Sequence, residues 1–139
     1  MNQNNSFIRV PYGMSVHGDE EINAVVKVLR GSTQMGENVT LLEKEISSLF
    51  KKDYGLMVNS GSSALLLALE ILDLPKDSEV ITPALTFSTT VSSILKSGLK
   101  PAFIDVIKDT YCIDPFKIEE MITNKTKAIC IPNLIGNLA

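Results

Sequence analysis

Apolar residues recur in two rhythms along the chain. Over residues 19–49 the spacing is helical. Ile22, Val25, Val26 and Leu29 make one stripe of a helix that Asp19 can cap, running to about Arg30 and stopped by Gly31. Residues 33–37 are polar and contain glycine, which predicts a loop. Asn38 is placed to cap a second helix, with Val39, Leu42, Ile46 and Leu49 on one face and Glu43, Lys44 and Glu45 toward water. Both helices are amphipathic, so each should pack one side on something.

From residue 53 the runs shorten and alternate in kind. A turn at 53–55 leads to a strand at 56–59, and a helix follows at 62–72. Beyond the turn at 75–78 come a strand at 79–82, a helix at 86–96 closed by Ser97 and Gly98, and a strand at 101–106. Asp114 and Pro115 suit an N-cap and a first helical residue, opening a helix to about Ile122. A strand at 127–132 and a loop at 133–137 complete the pattern. The order β-α-β-α-β-α-β implies parallel strands covered by helices. The expected division is a helical lead-in over 1–54 and an α/β part over 55–139. In such sheets ligands gather at the carboxyl ends of the strands. Here those ends are residues 59–62, 82–87, Asp105 and 133–137.

Composition changes this picture little. The chain has 139 residues, the length of one ordinary domain, and its 45% hydrophobic and 21% charged content is that of a globular protein. A net charge of -3 supplies no basic field for nucleic acid, and no apolar run approaches membrane-spanning length. The start of the chain is polar, without the basic and apolar regions of a cleaved leader, so a cytoplasmic location is expected. The two cysteines, Cys112 and Cys130, have neither metal spacing nor the density of a disulfide framework.

Candidate chemistry concentrates at 57–69. An apolar run breaks at Asn59-Ser60-Gly61-Ser62 and resumes as good helix formers. A helix start leaves backbone N–H groups without partners, and the helix dipole makes that end partly positive. Gly61 lets the backbone approach a bound group, and the hydroxyls of Ser60, Ser62 and Ser63 add donors, so the turn suits a phosphate. Serines before an apolar helix also cap it and do nothing more, and taken alone the turn is better read that way.

Five stretches in register alter that balance: Asn59-Ser-Gly-Ser-Ser-Ala-Leu, Asp77-Ser-Glu-Val-Ile-Thr-Pro-Ala-Leu-Thr-Phe, Gly98-Leu-Lys-Pro-Ala-Phe-Ile-Asp, Tyr111-Cys-Ile-Asp-Pro and Lys125-Thr-Lys-Ala-Ile. Together they resemble the DegT/DnrJ/EryC1/StrS family of pyridoxal-phosphate-dependent nucleotide-sugar aminotransferases, from about Val10 to Ala139. The resemblance implies the amino-terminal part of an aspartate-aminotransferase-like (fold type I) large domain. It also implies that strand 56–59 is separated from its successor by strands contributed later in sequence.

The resemblance further implies that Gly61, Ser62 and Ser63 hold the phosphate of pyridoxal 5'-phosphate, and that Phe87 stacks on its pyridine ring. A ring face to face with a pyridinium fixes its plane and keeps water off it. An isolated Phe at a helix start is otherwise a core residue. Thr86 and Asn137 are weaker candidates for lining the substrate side. Thr86 can equally cap its helix, and asparagine in a glycine-containing loop is usually turn chemistry.

In the family a Schiff-base lysine and the aspartate that pairs with the pyridine nitrogen lie in later segments. No catalytic residue is therefore expected within 1–139, and the chain reads as an inactive fragment. The implied partners are a nucleotide-linked keto sugar, an amino-acid amino donor and a second copy of the chain, with loop 31–36 near the partner's site. The implied product serves surface polysaccharide or amino-sugar synthesis. A 3-dehydratase of the same fold using pyridoxamine 5'-phosphate is the alternative. A relic that only binds or dimerises is a third. No metal site is expected. Asp105 and Asp109 have no supporting histidine, Asp114 reads as a cap, and the lone His17 lies in a polar lead-in.

Overall fold

A computed structural model describes residues 8–11, 13–34 and 36–139. These divide into two compact units between Met57 and Val58.

The first unit carries α1 (Asp19–Arg30) and α2 (Glu37–Leu49). Gly18, not Asp19, is the N-cap of α1. Its N–H donates to Glu21 Oε2 at 2.7 Å, the returning half of a capping box, while glycine has no side chain to supply the other half. That bond holds the Glu21 carboxyl below its ordinary pKa. Gly31 closes α1 as expected, its N–H reaching Lys27 and Val28 carbonyls at 3.2 and 3.0 Å. Gly36 rather than Asn38 caps α2. The apolar stripe of α1 is not covered: the helix buries none of its residues, and α2 buries only Ser47.

Residues 55–58 form no regular secondary structure and pair with no strand among the described residues, so the expected strand at 56–59 does not form. A strand exists through its ladder, and no ladder partner is present. The Met57 N–H donates instead to Glu43 Oε1 at 2.7 Å.

The second unit holds α3 (Gly61–Glu70), β1 (Glu79–Pro83), α4 (Ser88–Lys96), β2 (Lys100–Ile104), a 3-10 turn at Pro115–Lys117, α5 (Ile118–Met121) and β3 (Thr126–Ile129). The three strands form one parallel sheet in the order β2-β1-β3. β1 is central and buried on both faces, as parallel strands under helices are. Val80 points to a core of Leu69, Ile94 and Leu99, contributed by α3, α4 and the turn after α4. Ile81 points the other way, to Ile104 and Ile113, with Ile118 and Met121 of α5 packed against them. Helices therefore cover both faces.

The helix expected at 114–122 is a 3-10 turn followed by four α-helical residues, begun as foreseen by Asp114, which accepts the Phe116 N–H at 3.1 Å. At the amino end of β1, Glu79 Oε2 accepts the hydroxyls of Thr123 and Thr126 at 2.6 and 3.3 Å. The β1–β3 register shifts between Glu79 and Val80. No helix of the described residues is long and apolar enough to cross a membrane.

Candidate functional site

α4 starts where β1 ends, at the carboxyl edge of the sheet, and α3, which packs on α4 with its carboxyl end beside that of α4, starts on the same side. Ser60 caps α3, its Oγ accepting the Ser63 N–H at 3.1 Å. The Ser63 hydroxyl is turned back onto the loop and donates to Asn59 Oδ1 at 2.7 Å. Asn59 therefore braces the turn, which its residue type alone did not announce. Among the described residues, the N–H groups of Gly61 and Ser62 and the Ser62 hydroxyl make no hydrogen bond, and Ser62 is exposed. A Cβ built on Gly61 meets nothing within 4 Å, and no acidic residue stands in the first turn of α3.

Those facts bear on whether the turn fits a phosphate. Two backbone donors and one hydroxyl face open space at the positive end of a helix, with nothing of like charge beside them. The residues fit the group. Ser60 is already engaged as the cap, and Ser63 is engaged with Asn59, so the free donors belong to Gly61 and Ser62.

Phe87 is the N-cap residue of α4 and makes no side-chain cap bond. It is 65% exposed, so it is not the core residue that an isolated Phe would ordinarily be. The Thr86 hydroxyl donates to Thr90 Oγ1 at 2.9 Å, one turn into α4. Asn137 belongs to the turn after β3, where its Nδ2 donates to the Thr110 carbonyl at 2.8 Å. Asn133 Oδ1 accepts the Ala139 N–H at 3.1 Å. The structure thus places Gly61, Ser62 and Ser63 in the first turn of α3, Thr86 and Phe87 just before α4, and Asn137 in the segment after β3, all in one unit.

A cleft of about 240 Å³ lined by Leu69, Glu70, Asp73, Leu74, Lys96, Ser97 and Leu99 lies at the opposite edge. It is framed by the carboxyl ends of α3 and α4 and by two carboxylates, a setting that disfavours an anion. No group of three His, Cys, Asp or Glu residues able to hold a metal ion occurs among the described residues.

Known proteins share this architecture. The chain is 38% identical over 137 residues to GDP-4-keto-6-deoxy-D-mannose 3-dehydratase of Yersinia pseudotuberculosis, covering 94% of this chain and 35% of that protein. It is 38% identical over 119 residues to 3-oxo-glucose-6-phosphate:glutamate aminotransferase of Bacillus subtilis, covering 85% of this chain and 27% of that protein. The structure of E. coli GDP-4-keto-6-deoxy-D-mannose-3-dehydratase with bound hydrated PLP superposes with a TM-score of 0.84 at 36% identity, over 93% of this chain and 35% of that one. The architecture is accordingly part of a fold type I large domain, and the chain spans about a third of the length of the relatives it matches. The family model for DegT/DnrJ/EryC1/StrS aminotransferases matches residues 16–139, and this chain belongs to that family.

Proposed function

We propose that the chain forms part of a pyridoxal-phosphate-dependent enzyme that transfers an amino group from an amino acid, often glutamate, to the keto group of a nucleotide-linked sugar. The observation that carries the reading is the amino terminus of α3. It offers the free N–H groups of Gly61 and Ser62 at the same sheet edge as the exposed ring of Phe87. In this reading Gly61 and Ser62 anchor the cofactor phosphate, Ser60, Ser63 and Asn59 hold the turn rigid, and the Phe87 ring fixes the cofactor plane and excludes water. When bound, the cofactor supplies an electron sink at the reacting carbon. The enzyme works as a homodimer in the cytoplasm and serves surface polysaccharide or amino-sugar synthesis. Loop 31–36, of which Met35 lies outside the described residues, sits near the second subunit's site.

A second reading, a 3-dehydratase using pyridoxamine 5'-phosphate, is favoured by one observation. The match to the Yersinia dehydratase extends over 94% of the chain, against 85% for the Bacillus aminotransferase at the same identity. Borohydride treatment of the full-length protein loaded with pyridoxal phosphate separates the two. Covalent fixation of the cofactor is expected of the aminotransferase. Cofactor that is bound yet still removable by dialysis would move the assignment to the dehydratase, and no bound cofactor would overturn both.

Two substitutions test the site. Ser62→Ala in the full-length protein should weaken retention of pyridoxal phosphate by about 1–3 kcal/mol, the cost of a lost charge-assisted hydrogen bond, with an unchanged melting temperature. Unaltered affinity would reduce Ser62 to a helix residue. Phe87→Leu should shift the visible absorption band of the bound cofactor or loosen its binding while the fold stays intact, because an exposed ring contributes little to the core. A variant that unfolds would return Phe87 to a packing role.

A further inference from the structure

Asn137 was expected to line the substrate side, and the structure gives its side chain a different occupation. Nδ2 donates to the Thr110 carbonyl at 2.8 Å, which ties the turn after β3 to the loop after β2. The Asn137 carbonyl also accepts the Cys112 Sγ–H at 3.7 Å, and Cys112 is buried at 5% exposure behind it. β2 and β3 lie on opposite sides of β1, so this strap spans the carboxyl end of the central strand.

Each loop so joined carries a bulky residue in the left-handed region: Tyr111 at φ 60 and Ile135 at φ 58. A β-branched residue is among the least tolerant of that conformation, and Gly136, which accepts it freely, stands next to Ile135 at φ 80. Ile135 is 77% exposed and Tyr111 45% exposed, so the chain's own core does not repay the strained backbone. Backbone strain of this kind persists only where surrounding bonds over-determine it, and it concentrates at functional sites. The bonds here are the Asn137 strap, the Ala139 N–H to Asn133 Oδ1, and the antiparallel bridge between Val106 and Ile113.

We propose that Asn137 is a positioning residue: its amide latches the two loops together and thereby holds Ile135 and Tyr111 as fixed walls for the sugar at the sheet's carboxyl edge, without itself touching the sugar. The latch is independent of the functional reading, while the role of the walls rests on it.

The test uses the full-length protein loaded with pyridoxal phosphate and two variants, Asn137→Ala and Asn137→Asp. The aspartate keeps the shape but offers the Thr110 carbonyl no donor, so it serves if the alanine variant folds poorly. Alkylation of Cys112 by iodoacetamide is followed by peptide mapping, with the half-buried Cys130 as the internal control. Opening of the strap should accelerate Cys112 alkylation about three- to tenfold and leave Cys130 unchanged, as expected for one lost hydrogen bond. A Cys112 rate within about twofold of wild type in both variants overturns the latch. With GDP-4-keto-6-deoxy-D-mannose and L-glutamate, KM should rise by a similar factor at nearly constant kcat. Accelerated alkylation with an unchanged KM, or a fall in kcat alone, overturns the positioning role. A wild-type protein that does not turn over this sugar overturns the walls as fitted to it, and the alkylation ratio still decides the latch. Absence of cofactor binding in wild type marks failure of the functional reading instead.

Discussion

Ile81→Asp is expected to leave the full-length protein insoluble or without a cooperative melt. Ile81 is fully buried in the central strand and packs against Ile104 and Ile113, with Ala102, Ile118, Met121 and Ile131 around them. Those neighbours are all apolar, so a carboxylate there would be a charge buried against aliphatic side chains. The penalty should exceed about 4 kcal/mol, a large part of the whole stability of a domain. Because β1 pairs with both other strands, the damage reaches the entire sheet and the two loops that carry Asn59 and Phe87. Ile81→Val, which deletes one methylene, should cost only about 1 kcal/mol. A urea titration of both variants checks the pair. A native-like midpoint for the aspartate would mean that the strand is not central in the complete protein.

The second large effect is expected at Gly61, and it should appear in binding and not in folding. Gly61 opens α3 at a position where an added Cβ meets nothing within 4 Å, and its φ is not positive. Alanine is therefore sterically admissible and conformationally favourable, and Gly61→Ala should leave the melt unchanged or raise stability by up to about 1 kcal/mol. The same methyl group intrudes on the space through which a phosphate would reach the two free N–H groups. Affinity for pyridoxal phosphate should fall at least about tenfold, or about 1.4 kcal/mol. Stability and affinity moving in opposite directions would separate an anion cradle from a simple helix cap. Unchanged affinity would leave only the cap.

Much of the fold was legible because local chemistry and tertiary structure agree. Gly31 ends α1, Asp114 and Pro115 start their turn, and β1 lies within one residue of its expected span. What was illegible has particular causes. The run at 56–59 has the composition of a strand, but composition does not supply a ladder partner, and the chain offers none among the described residues. Asn38 is a good capping residue two positions too late, because Gly36 already adopts the extended geometry the cap needs. At the site, the turn after 58 and the aromatic before α4 were visible in residue type and order. Which serines are free was not: Ser62 and Ser63 are chemically identical, and only the fold turns one outward and the other onto Asn59. Asn137 likewise reads as turn chemistry or ligand contact until Thr110, 27 positions away in the chain, comes into reach.

The two hydroxyls gathered by Glu79 have a bearing on how this sheet tolerates sequence drift. A half-exposed strand announces its register through alternation, since slipping by one residue would turn its greasy side to water. β1 is covered above and below, so Val80, Ile81 and Thr82 would each stay indoors after such a slip. Alignment of the β1–β3 pair must therefore come from outside β1: from the alternation of half-buried and exposed positions along β3, and from the carboxylate at the strand's entrance, which grasps Thr123 and Thr126 beside the register shift. The interior of this sheet can therefore wander among aliphatic residues over evolutionary time, while three polar side chains at its rim are held to a narrow choice.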